Sequence, residues 1–566
     1  MSGMLETREL WITPLSPVHM GTDEDYTPTG YVIEGNALFE FDHRALANLP
    51  PAEKQRLAKI LSGRASEGML KQVQAFFHGN QEWLIPAAVN LVRTSDELGA
   101  LYQARVGRAA QVEKGGHEVH NRLEIERASY NPIDRRLMLP GTGLKGAIRT
   151  ALLDDLNQGS SLREMEYFDR RGKRNRQPRN NREMQESIFK GSFATDPMRL
   201  VQVSDCAWQG ASDLGGAEIL FAVNRKKRPV QKGGTLVQSQ AERQGLYQLL
   251  ECATPFRVRA FRGSLGIANP AGKGISADRL PKFRFGFAEV AAACNRFYRP
   301  IFDAETALLR SRGYLDGEWR ERVRSLLDDP EMAKRMADNR AFLLRAGRHS
   351  GAESVTLNGV RSIRIIKGKG EKAGYESESK TLWLAASDRN EQHHLRPFGW
   401  LLVEMGQANR EPPAWPREED LRRESAGDQR QWLQRARERQ ETLRRKVAAL
   451  REAAETEARA AAERAAEEAR KQEVEARRLA GLSPVEREME EIIERERRNN
   501  PGAVLLGLLE AGHWEKAEDA VRVAEEIRSL WVAEKRWIPS FSGTNKQKRK
   551  QKARCEKVLG YLGEEE

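Results

Sequence analysis

The chain has 566 residues, of which 31% are charged and 39% hydrophobic, and a formal net charge of +12. At about 150 residues per domain, that length predicts three or four units. No apolar run approaches the 18 or so residues a membrane helix needs, and MSGMLETREL lacks a basic-then-apolar leader, so neither a membrane span nor a secretory signal is expected and a cytoplasmic chain is. Cys206, Cys252, Cys294 and Cys555 show no C-x-x-C spacing, which argues against a zinc knuckle or disulfide framework and for reduced, buried thiols.

In chain order, residues 9–42 read as strand, polar loop, strand. Within them YVIEGNALFEFD predicts a hairpin turning at Gly35 and Asn36. From about His43 to Asn121 the spacing turns helical, as in PPAEKQRLAKILSG, where Leu57, Ile60 and Leu61 share a face. RLEIERASYNP and RRLMLP return to strand. LPGTGLKGAIRTAL (139–152) then holds a G-x-G-x-x-G spacing, followed by a predicted helix over LKGAIRTALLDDLNQG. That spacing alone raises a nicotinamide or flavin site. A dinucleotide turn, however, follows an apolar parallel strand and precedes a second strand ending in an acid. Here the preceding run ends in Pro140 and the following stretch is a basic loop, so no cofactor is expected.

MRLVQVSDCAWQ (198–209) and AEILFAVNR (217–225) predict two more strands. A second half opens near Leu246, passes through helical material from Phe285 to Leu344, and closes with LLRAGRHSGAESVTLNG and HLRPFGWLLVEM. Residues 417–500 carry 21 Lys plus Arg and 21 Asp plus Glu, so the whole positive excess lies elsewhere. Between Arg451 and Arg470 nineteen of twenty residues are Ala, Glu or Arg, which predicts a long exposed helix acting as a spacer rather than a tight coiled coil. After Pro501 apolar periodicity returns in a small basic helical module. The excess charge is densest at 170–182, 224–232 and 546–557, and blocks of that kind attract polyanions.

PLSPVHMGTDEDYTPTGYVIEG, LPGTGLKGAIRTAL, DPMRLVQVSD, LLRAGRHSGAESVTLNG and RPFGWLLVE resemble, in order, the motifs of the RAMP superfamily of CRISPR-associated proteins. More narrowly they resemble the type III-A (Csm) subunit that caps the 3′ end of the guide RNA; the resemblance spans about residues 8–406. It implies an α+β chain with two ferredoxin-like (RRM-like) domains, expected at 1–235 (with the helical insertion near 43–121) and 236–410. A charged helical spacer at 411–500 and a basic module at 501–566 lie beyond it. The implied function is non-catalytic binding of the 3′ portion of the crRNA and a part in its maturation. The implied partners are crRNA, other subunits of the effector complex and host trimming nucleases, with no membrane.

The expected RNA-binding residues are Gly141, Gly143, Lys145, Gly146 and Arg149 in the first glycine motif and Arg345, Gly347, Arg348, His349 and Gly351 in the second. Glycine admits close backbone approach, helix-start amides donate to phosphate, lysine and arginine add charge, and His349 is a candidate for stacking on a base. One alternative remains open. HMGTDEDYTP contains His19, Asp23 and Asp25, an acid/base or metal-binding set for an RNA endonuclease acting on repeat RNA.

Overall fold

Leu5–Pro14 is exposed over its first four residues and buried from Leu10 onward, because it runs between two antiparallel neighbours, Phe261–Ala268 and Trp400–Gly406. It is the centre of the first sheet of a computed structural model. The structure describes residues 5–108, 111–112, 118–119, 123–161, 164–168, 174–178, 181–210, 216–232, 235–237, 245–270, 279–365, 374–407, 410–415 and 418–564. Across the first sheet the order is Ala341–Arg345, Trp400–Gly406, Leu5–Pro14, Phe261–Ala268, Cys206–Trp208, Met138–Leu139, with Val201–Val203 also paired to Phe261–Ala268. Two helices, Gly141–Asn157 and Phe287–Ser311, bury Leu144, Ile148, Phe297 and Tyr298 in one core with Leu10, Ile12, Phe261 and Trp400 of this sheet.

A second sheet runs Gly21–Tyr26, Ile125–Ala128, Tyr247–Ala253, Ala217–Lys226, Asn90–Arg93, Ala37–Glu40, Tyr31–Glu34, and Thr381–Ala386 also pairs with Ala217–Lys226. Its hairpin turns at Gly35 and Asn36, where Gly35 takes φ +59. Both sheets draw strands from either side of residue 235, so the expected boundary there does not separate them. Residues 1–448 form one compact unit in which the two halves are interleaved. The helical stretch expected near 43–121 is likewise interrupted, because Asn90–Arg93 joins the second sheet.

The charged segment forms one helix, Glu418–Gly481, but its first half is no spacer. Trp432, Leu433, Ala436 and Leu443 are buried in a core with Phe41, Phe76, Phe77 and Ile85. Gln440 Nε2 donates to the carbonyls of Ile85 and Ala88, and Arg439 pairs with Glu34 at 2.6 Å. Alternation of charge hid this face, since four apolar residues at helical spacing suffice to seat it. Residues 449–566 form a second compact unit. In it Pro484–Arg495, Pro501–Glu510, Ala517–Ala533 and Lys546–Leu562 enclose Leu505, Leu509, Ile527, Trp531, Cys555 and Val558, so the module begins at Pro484 rather than at 501. All four cysteines are free and buried, and among the described residues no helix is long and apolar enough to cross a membrane.

Candidate nucleic-acid interface

Pro14–Gly21 carries the chain from the first sheet to the second, and hydrogen bonds pin it along its length. Leu15 N donates to Trp400 O, Gly399 N to Pro17 O, and Val18 and Ala253 exchange a pair. His19 O accepts from Arg348 N at 2.8 Å, and Met20 O from Ser129 N at 2.6 Å. Around this segment the two glycine motifs meet. A β-carbon placed on Gly143 would collide with Met20 Cε, and one on Gly347 would stand 3.3 Å from Met20 Cγ and collide with His19 O. Met20 therefore lies between them, and Gly347 sits at φ +91, a conformation that favours glycine.

The first motif is not a loop before a helix. The helix begins at Gly141 and absorbs all three glycines. Gly141 N donates to Asp205 Oδ1 at 2.8 Å, so the helix start already faces a carboxylate, and a β-carbon there would collide with the carbonyl of Val203. Gly146, by contrast, is exposed with open space around it. The preceding Met138–Leu139 strand pairs antiparallel with Cys206–Ala207, which removes the parallel strand a dinucleotide turn needs.

Arg149 makes two hydrogen bonds to Asp196, at 3.0 and 2.6 Å, a third to Gln185, and lies over the Phe189 ring. DPMRLVQVSD thus supplies an acidic partner to Arg149 through Asp196 and to Gly141 through Asp205. These two motifs belong together for reasons of packing. Lys145, half-buried, keeps its ammonium clear of an ion pair among the described residues, and burial pulls its pKa below the usual lysine range, with Asp196 opposing.

In the second motif the residues divide. Arg345 is buried; its guanidinium pairs with Glu305 at 2.9 Å, donates to Phe398 O, and stacks on Trp400. His349, at φ +60, is held by Gln248 and stacks at 4.8 Å on Trp383, so its stacking partner is internal. Burial, aided by Arg348 and His19, brings its pKa down to about 3. Gly351 (φ +79) turns the chain beside Arg345. Arg348 alone of the motif's cations faces solvent, 44% exposed, with Glu126 at 3.0 Å.

His19 is 1% exposed, its Nδ1 2.6 Å from Glu251 O and its Nε2 3.9 Å from Glu126. Burial lowers its pKa. Burial raises that of Glu126 despite Arg348, with Asp25 and Asp23 adding to the rise. The structure brings Asp25 into electrostatic reach of His19 and adds Glu126, which both Asp23 and Asp25 reach and which the sequence reading missed. Its signal was a charged residue inside the strand pattern of RLEIERASY. Among the described residues no group of three or more His, Cys, Asp or Glu could hold a metal ion. Of the basic cluster at 170–182, residues 170–173 and 179–180 lie outside the described residues.

Residues 11–211 match the model of the RAMP superfamily. No curated protein matches the chain. Among solved structures, a chain in the cryo-EM structure of a Csm–crRNA–target RNA ternary complex of a type III-A CRISPR–Cas system is 14% identical, with a TM-score of 0.37; the likeness covers 70% of this chain and all of that one. The crystal structure of T. onnurineus Csm5 is also 14% identical, with a TM-score of 0.36, over 70% of this chain and 99% of that one. The matching stretch, residues 11–211, holds the glycine helix and both its acidic partners, Asp196 and Asp205, so the likeness to the RAMP superfamily lies in this part of the chain.

Proposed function

We propose that the chain is a non-catalytic RNA-binding subunit of a type III-A CRISPR effector complex, holding the 3′ portion of the crRNA and contributing to its maturation. The observation that carries this reading is the meeting of both glycine motifs at Met20, which supports one continuous surface edged by Lys145, Gly146 and Arg348. There an exposed glycine leaves room for a phosphate next to Lys145, and Arg348 adds a cation from the second motif. Strand order supports a ferredoxin-like reading of the first sheet. Leu5–Pro14, helix, Cys206–Trp208, Phe261–Ala268, helix, and the final Trp400–Gly406 lie in the order fourth, first, third, second, all antiparallel.

Purifying the protein from its source cells and sequencing the RNA it carries tests the reading. A population with shared 3′ ends is expected, and RNA with random ends would count against it. The endonuclease alternative is weaker because the His19 ring is 1% exposed and its Nδ1 is tied to a backbone carbonyl, which keeps the imidazole away from a substrate on the surface. Cleavage of repeat RNA that vanishes in His19→Ala or Asp25→Ala would reinstate it.

A further inference from the structure

The second compact unit ends in a helix whose charge opposes its own stability. Lys546–Leu562 carries seven cations and one acid between Lys546 and Lys557. Lys546, Lys548 and Arg549 stand in its first turn, with no acidic residue there. A helix start bears partial positive charge, so cations there are repelled by the dipole and by one another. Folding alone does not call for this arrangement. The buried face, Cys555 and Val558, and the Asn545 cap, which accepts from Gln547 N and Lys548 N, already fix the helix on Trp531 and Leu509.

The cations fall into two sets. Lys552 pairs with Glu556, Lys557 with Glu510, Arg549 Nε donates to Gly543 O, and Lys548 lies over the Phe541 ring. Lys546, Lys550 and Arg554 have no ion-pair or hydrogen-bond partner among the described residues. They follow one another at intervals of four, so they form one row about 12 Å long on the helix surface. Tyr561, exposed, lies near the other end of the helix, with its hydroxyl fixed on Leu509 O. A row of cations without ion-pair or hydrogen-bond partners among the described residues, with an aromatic ring farther along the same helix, is complementary to a phosphodiester backbone with a base to stack.

We propose that this helix is a second nucleic-acid contact, separate from the glycine-motif surface, which grips the phosphate backbone of a single strand without reading its sequence. The test uses the full chain and a fluorescent single-stranded RNA of unrelated sequence, with single-stranded DNA and the corresponding duplexes as parallel probes and polyglutamate as competitor. In the triple variant Lys546→Gln, Lys550→Gln, Arg554→Gln, the slope of log affinity against log salt should be shallower by about 2, roughly 0.7 for each cation. The double variant Lys552→Gln, Lys557→Gln, which removes cations already paired, should keep the wild-type slope. The melting temperature of the triple variant should stay or rise, since Lys546 opposes the dipole and like charges at intervals of four repel one another. Equal slope changes in the two variants, polyglutamate competing as well as RNA, duplex preferred to single strand, or a fall in melting temperature would each overturn the proposal. The RNA and DNA arms tell which strand the surface takes.

Discussion

Two sets of cations, Arg149 and Arg345 in the first unit and Lys546, Lys550 and Arg554 in the other, are alike as residue types yet do opposite physical work. The first two are bound to carboxylates and stacked on aromatic rings inside the fold. The last three follow one another along a helix with no acidic residue in its first turn, and they have no ion-pair partner among the described residues. A cation beside a glycine motif is therefore no measure of surface charge. What decides is whether the fold brings an acid to it: Asp196 reaches Arg149 across 47 positions and Glu305 reaches Arg345 across 40.

The sharpest way to break this contrast is Arg345→Ala. Removing one partner of a buried pair leaves Glu305 uncompensated, so a loss of about 3–5 kcal/mol is expected by urea unfolding. A loss under about 1 kcal/mol, as for a surface pair, would put Arg345 back among the solvent-facing cations. Gly347→Ala comes next. Its positive φ costs about 1–2 kcal/mol, and the collision with His19 O adds to that, because a backbone carbonyl cannot swing aside. Gly143→Ala should cost less, since the atom it meets is the flexible end of Met20.

The pH dependence of stability sharpens the picture of the second motif. His349 is held near 3 against an ordinary 6.5, by burial first and by Arg348 and His19 after. Its contribution is complete above pH 6.5 and is lost as pH falls toward 3, because the unfolded chain takes up the proton first. Burial opposes ionisation of Glu353, yet Lys227 and Ser379 outweigh it and bring its pKa down to about 2 from 4.5, so its contribution fades between those values. His349→Phe keeps a ring beside Trp383 but cannot titrate, and its denaturation midpoint should fall less than the wild type's between pH 6.5 and 5. Parallel curves would mean that His349 titrates normally. The smallest effect is expected at Gly146→Ala, which should stabilise the helix by about 0.5–1 kcal/mol in thermal melts. Destabilisation would mean that Gly146 is enclosed.

Local structure was legible in the sequence. The Gly35–Asn36 hairpin, the helix Pro51–Leu61 and the strand Ala217–Lys226 stand where periodicity placed them. MRLVQVSDCAWQ was not one strand, because Asp196 caps a short 3₁₀ turn and the Ser204–Asp205 break lets Asp205 meet Gly141. Interleaving of the two sheets left no local trace: Leu10 pairs with Gly263 and Met405, and nothing near Leu10 announces either. At the site, glycines and cations were legible as residue types. Their division into internal and surface groups was not, since Glu305, Asp196 and Trp383 become neighbours only through tertiary pairing.

Whether the surface around Met20 holds guide RNA is tested most directly by the salt dependence of guide-RNA affinity in the wild type and in the Lys145→Ala, Arg348→Ala double variant. A clearly negative slope is predicted, shallower in the variant by about 1.4, or roughly 0.7 per lost phosphate contact. A flat wild-type plot, or a variant whose slope matches the wild type's, would contradict it.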